Sequence, residues 1–134
     1  MAVVVGYIPT AEGRAALDAA RCEARERKLK LIVVHSFKGG AAFTVEDSLD
    51  ADSEAEAIRR ELTTEGADFE ILTFVRGNDP TDDLIRVVEE NNAQLIVIGL
   101  RRRSPIGKLV LGSNAQRILR EADCPVLSVK ATAG

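Results

Sequence analysis

Apolar and polar positions along this chain alternate between two periods. Ala2 to Ile8 is a short apolar run with β-branched residues, which predicts a buried strand, and Thr10 then opens a helical pattern. In that pattern Ala16, Leu17, Ala20 and Ala24 recur on one face, with charges between them. Leu31 to Val34 predicts a second strand. A Gly39-Gly40 loop follows, and Thr44-x-x-Asp47 has the form of a capping box for a long acidic helix. Gly66 stands where that helix should end, because glycine accepts the left-handed conformation beyond a helix cap. Phe69 to Val75 predicts a third strand. Asp79-Pro80-Thr81-Asp82 is the clearest helix start: a capping aspartate, a proline suited to the first helical position, and a second aspartate near the positive end of the dipole. Leu95 to Ile98 predicts a fourth strand, and a basic loop runs from Leu100 to Leu111. Ser113-x-x-Gln116 reads as a second capping box, for a helix ending near Asp123, and Pro125 to Val129 closes the chain as a fifth strand.

Five strands joined by four helical connections predict right-handed crossovers and a parallel sheet. The fold class is α/β, a Rossmann-like αβα sandwich forming a single domain over residues 1–134, with no linker or repeat to divide it. Composition fits: the chain has no Trp and only five Phe or Tyr, so aliphatic side chains must build the interior, as in sheets covered on both faces. Met1 to Gly6 carries no charged leader, and no run approaches the roughly 18 apolar residues of a membrane span. Cys22 and Cys124 are too few for a disulfide scaffold. They read as reduced thiols, and the chain as cytoplasmic and away from membranes.

Charge is unevenly placed. Residues 46–70 hold ten Asp or Glu against two Arg, whereas residues 91–120 hold no acidic residue and six cations, Arg101, Arg102, Arg103, Lys108, Arg117 and Arg120. The acidic run lacks the ordered ligand spacing of a calcium loop and reads as a solvated helix face. The basic island marks an anion site. It lacks interleaved aromatics, which speaks against nucleic acid.

The basic loop lies beyond the carboxyl end of the fourth strand, where ligands of open α/β sheets bind. It leads to Gly112-Ser113 at a helix N-terminus, where free amides and the dipole favour an anion. Gly112 lets the backbone come close to a ligand, and Ser113 adds a hydroxyl that serves either the ligand or its own helix. Other motifs fail. Gly107-Lys108 is followed by Leu109 where a phosphate loop needs Ser or Thr. His35 and Ser36 are neighbours on a strand and so face opposite sides, which argues against a nucleophile–base pair. Neither cysteine has metal-ligand spacing.

Taken together, the opening strand and Ala-rich helix, Val33-Val34-His35, Ala93-Gln94-Leu95-Ile96-Val97-Ile98-Gly99, Gly112-Ser113 and Cys124-Pro125-Val126 resemble the universal stress protein family over nearly the whole chain. Members of that family that bind ATP carry a glycine, two residues, a second glycine, nine residues, then Gly-Ser or Gly-Thr. Gly99 and Gly112-Ser113 stand at the matching spacing, with Arg102 at the middle glycine position. Where ATP-binding members carry an aspartate after the first strand, this chain has Ile8, followed by Pro9 and Thr10. The resemblance implies a five-stranded sheet of order 3-2-1-4-5 and a regulatory or sensing protein that binds ATP, AMP or phosphate, with Mg2+ accompanying ATP. It implies adenine near Tyr7, Ile8, Thr10 and His35, and phosphates on Gly99, Arg101, Arg102, Gly112, Ser113 and Asn114. It also implies a homodimer through the edge strand Pro125–Lys130. Two rival readings are a dimeric interaction module without nucleotide and a slow nucleotide hydrolase. The second ranks last, because no base or metal carboxylate is evident near the phosphate loop.

Overall fold

The computed structural model describes residues 1–37, 45–75, 79–100 and 112–131. The strands are β1 (Ala2–Tyr7), β2 (Lys30–Phe37), β3 (Phe69–Val75), β4 (Ala93–Leu100) and β5 (Val126–Lys130). The helices are α1 (Ala11–Arg27), α2 (Val45–Glu65), α3 (Pro80–Glu90) and α4 (Ser113–Glu121). All strand pairs are parallel, in the order β3-β2-β1-β4-β5. The expected fold and strand order are therefore observed.

The two faces of the sheet sort by parity. Val3, Val5, Tyr7, Val33, Leu95 and Val97 pack against α1 and α2, which contribute Ala16, Leu17, Ala20, Ile58 and Leu62. Ala2, Val4, Ile32, Val34, Ile96 and Ile98 pack against α3 and α4 through Leu84, Val87, Val88 and Ile118. Because both faces are covered, the central strands read as unbroken apolar runs. Each fully buried Val, Leu or Ile contributes about 1.5–3 kcal/mol. Among the described residues, no helix is long and apolar enough to cross a membrane.

Helix ends follow the local chemistry in most places. Thr10 caps α1, its hydroxyl accepting from the Gly13 N–H at 3.1 Å. Asp79 caps α3, its carboxylate accepting from the Thr81 N–H at 2.8 Å, with Pro80 in the first turn. Gly66 follows the end of α2 with φ 75°, the left-handed conformation expected there. One helix start departs from expectation. Gly112, not Ser113, is the cap of α4, and a glycine cap has no side chain to bond that helix start. Ser113 is the first helical residue, one position too late to act as the cap of a box. The helix ends at Glu121, short of Asp123, where the backbone turns extended. Thr44 and the Gly39-Gly40 loop lie outside the described residues.

Part of the acidic helix is tied to α1. The Arg14 guanidinium grips Glu61 at 2.6 and 3.1 Å, Arg21 bonds Glu65, and Arg25 stands 3.4 Å from Glu65. The Tyr7 hydroxyl donates to Glu54 at 3.0 Å. Such partly exposed pairs each contribute about 1 kcal/mol or less. Together they fix how α2 lies across the sheet.

Candidate functional site

At the carboxyl ends of β1 and β4, the starts of α3 and α4 enclose a cleft of about 170 Å3. Its apolar wall comes from Ile8, Val34, Leu84, Ile98 and Ile118, and its rim from Thr81 and Asn114. Two larger clefts lie at the opposite end of the sheet. One, near the ends of α3 and α4, is bordered by Glu89, Glu121 and Asp123. The other, near the ends of α1 and α2, is bordered by Arg21, Arg25 and Glu65. Both face helix C-termini, whose carbonyl ends repel anions. Size favours them, but polarity favours the smaller cleft.

The start of α4 is its most reactive edge towards an anion. The Gln116 N–H closes the first helical bond on the Gly112 carbonyl at 3.0 Å, so the amides of Ser113, Asn114 and Ala115 have no partner within the helix. In α1 and α3 a threonine and an aspartate cap the helix start, whereas the glycine cap of α4 has no side chain to do so. Arg117 is already engaged by Asp82 and by Glu121 at 2.5 Å, so it is not a free counter-charge for this edge.

The structure brings Ile8, Gly99 and Asn114 together in one cleft, with Gly112 and Ser113 directly before Asn114. Ile8, 38% exposed, presents an apolar side chain at the mouth. The Thr10 hydroxyl is held by its own helix. Gly99 has a second use: a Cβ there would lie 2.3 Å from the Glu12 carbonyl oxygen, so its missing side chain lets α1 cross the end of β4. Arg101 and Arg102 lie outside the described residues.

His35 lies on the other face. It is 1% exposed and meets the Tyr7 ring edge-on, centroids 5.3 Å apart, on the side of the sheet covered by α1 and α2. Burial lowers its pKa below the ordinary 6.5, and Glu54 opposes that shift. Burial and Glu54 together push the Tyr7 hydroxyl up to about 12. Below pH 6.5 the unfolded chain takes up a proton that folded His35 resists, so stability is lost as pH falls from 6.5 towards the folded value. The loss is at most about 1.4 kcal/mol per pH unit. Melting curves of His35→Gln should therefore vary less between pH 7 and 5.5 than those of the wild type; parallel profiles would contradict this.

Sequence reasoning missed the contribution of α3. Thr81 and Leu84 line the cleft, and the signal was available: Asp79-Pro80 marks a helix start just beyond the carboxyl end of β3. Among the described residues no group of three or more His, Cys, Asp or Glu could hold a metal ion, and the cleft lining contains no carboxylate.

Comparison with known proteins agrees with this architecture. The family model described as "Universal stress protein family" matches residues 1–130. A universal stress protein of Mycolicibacterium smegmatis is 40% identical over 128 residues, covering 96% of each chain. A solved universal stress protein from Archaeoglobus fulgidus superposes with a TM-score of 0.83 at 37% identity, covering 97% of this chain and 98% of that one. A second Archaeoglobus fulgidus structure, a complex with dAMP, superposes with a TM-score of 0.78 at 32% identity over the same shares. With nearly its full length matched in sequence and in fold, this chain belongs to the universal stress protein family.

Proposed function

We propose that this chain binds an adenine nucleotide in the cleft between α3 and α4, and acts in the cytoplasm as a sensor or regulator. The base would lie against Ile8, Val34 and Ile98, and the phosphate would lie on the amides of Ser113, Asn114 and Ala115. The observation that carries this reading is the glycine-capped start of α4 at the mouth of an apolar cleft. The dAMP complex of the Archaeoglobus fulgidus relative supports it. Size favours a compact ligand: pockets that enclose a whole small molecule measure roughly 300–1,000 Å3, so this one takes the base and leaves the phosphate at the rim.

Titration calorimetry of nucleotide-stripped protein with AMP, ATP and cyclic AMP tests the reading. AMP should bind without added Mg2+, since the described residues of the cleft lining include no carboxylate to hold a metal. Replacing both Arg101 and Arg102 with Ala should weaken AMP about tenfold at low salt, and by less as salt rises. Absence of binding by all three nucleotides at millimolar concentration would overturn the proposal. It would favour an interaction module without nucleotide, the reading supported by Ile8, an apolar side chain where ATP-binding relatives carry aspartate.

A further inference from the structure

A second cleft lies between the same two helices, at the far ends of α3 and α4, and it measures about 310 Å3. Its floor is aliphatic, built by Ile85 and Val88 of α3 and by Ala93 and Ile96 of β4. Its charge has one sign. Glu89, Glu121 and Asp123 border it, and no Lys or Arg is among the described residues that line it. Glu121 is paired with Arg117 at 2.5 Å, which leaves Glu89 and Asp123 to supply the charge. α3 ends at Glu90 and α4 at Glu121, so the negative ends of two helix dipoles add to that field. The Cys124 thiol, also in the lining, titrates above its ordinary value, because burial and Asp123 both disfavour the thiolate. The cleft thus offers apolar contact below and selects positive charge above.

We propose that this cleft is a second binding site, for a small aliphatic ammonium whose hydrocarbon body lies on Ile85, Val88 and Ile96 while its charged head donates to Glu89 and Asp123. A primary ammonium has three donors and no acceptor, which suits a rim of carboxylates. Pockets that enclose a whole small molecule start at roughly 300 Å3, so the occupant is a small molecule and not a protein surface. A bare metal ion fits less well, since the described residues hold no group of three ligands for one. The site stands apart from the nucleotide cleft and does not depend on that reading.

Titration calorimetry at low salt with n-hexylammonium, hexanol and hexanoate tests this, and methyl NMR locates the ligand. Hexylammonium should bind in the millimolar range, with hexanol and hexanoate at least about fivefold weaker. Glu89→Gln and Asp123→Asn should each weaken hexylammonium about 2–5-fold and leave hexanol unchanged. Both are exposed residues, so neither change disturbs the core. Rising salt should weaken the ammonium as well. Its binding should shift the methyl signals of Ile85, Val88 and Ile96, and not those of Ile8 and Val34 at the other cleft. No binding of hexylammonium at tens of millimolar would overturn the proposal. So would equal affinity for hexanol, unchanged affinity in both variants, or shifts confined to other methyls.

Discussion

Replacing Gly13 with Ala is expected to destabilise the protein by at least about 3 kcal/mol, or about 10 °C in melting temperature. Gly13 lies in the first turn of α1, and a Cβ there would sit 1.8 Å from the Ile8 carbonyl oxygen and 2.8 Å from its carbon. These are backbone atoms and cannot swing away as a side-chain tip could. The Ile8 carbonyl is also fixed by accepting from the Thr10 N–H at 2.8 Å. Relief therefore requires α1 to lift from the sheet, which opens the packing of Ala16 and Leu17 and displaces Ile8 at the mouth of the cleft. Gly66→Ala is the control. Nothing lies within 4 Å of its added carbon, so only the left-handed backbone at φ 75° resists, at about 1–2 kcal/mol. Urea and thermal denaturation of the two variants measure the difference, and a Gly13→Ala protein as stable as Gly66→Ala would refute the packing account.

The second large effect concerns assembly. We propose that the chain forms a homodimer through β5, and that Ser128→Pro converts it to a monomer that remains folded. β5 is an edge strand with half-buried Val126, Leu127 and Val129. The Pro125 carbonyl accepts from the Ile96 N–H at 3.0 Å. In a parallel ladder alternate residues make both bonds, so 127 and 129 turn their backbone groups to β4 while 126, 128 and 130 turn theirs outwards. Proline is tolerated at an edge position whose N–H faces solvent, so position 128 removes an outward donor and spares the bonds to β4. Two copies pairing antiparallel would give the self-complementary interface of a two-fold dimer. Light scattering over a dilution series reads the result. A wild type that is monomeric at high micromolar concentration, or a Ser128→Pro protein that stays dimeric, would rule out this interface.

The fold was largely legible because its signals are local. Asp79-Pro80 and Thr10 start helices through bonds to their own next few residues, and Phe69–Val75 is bounded by polar residues on both sides. Strand ends were less legible. β2 continues through His35 and Ser36, and β4 through Gly99 and Leu100, because pairing with neighbouring strands carries the backbone past the apolar run. The site was legible in part. That a cleft lies beside Gly99 and the start of α4 followed from strand order and a helix start, but the face of the sheet did not. His35 shares parity with Val33 and so looks towards α2, whereas Val34 reaches the cleft. Ser113 read as a cap because serine commonly is one; the structure places it a residue later. Thr81 gave no signal of its own, since threonine is ordinary in a first helical turn, and only its burial beside the cleft marks it out. The bonds from Arg14 to Glu61 and from Arg21 to Glu65 span more than 40 residues, beyond any local pattern.

The contact at Gly99 removes slack from the ligand end of the sheet. Where most strands and helices are separated by a layer of side chains that can re-pack, the end of β4 meets the Glu12 carbonyl backbone against backbone. Close-packed matter of this kind passes displacement on instead of absorbing it. A shift of β4 at Gly99, on the edge of the cleft, would therefore push the first turn of α1. Through Arg14 and Glu61 the same push would reach α2 on the far side of the molecule. The start of one helix thus touches both the edge of the cleft and, through Arg14, the acidic helix.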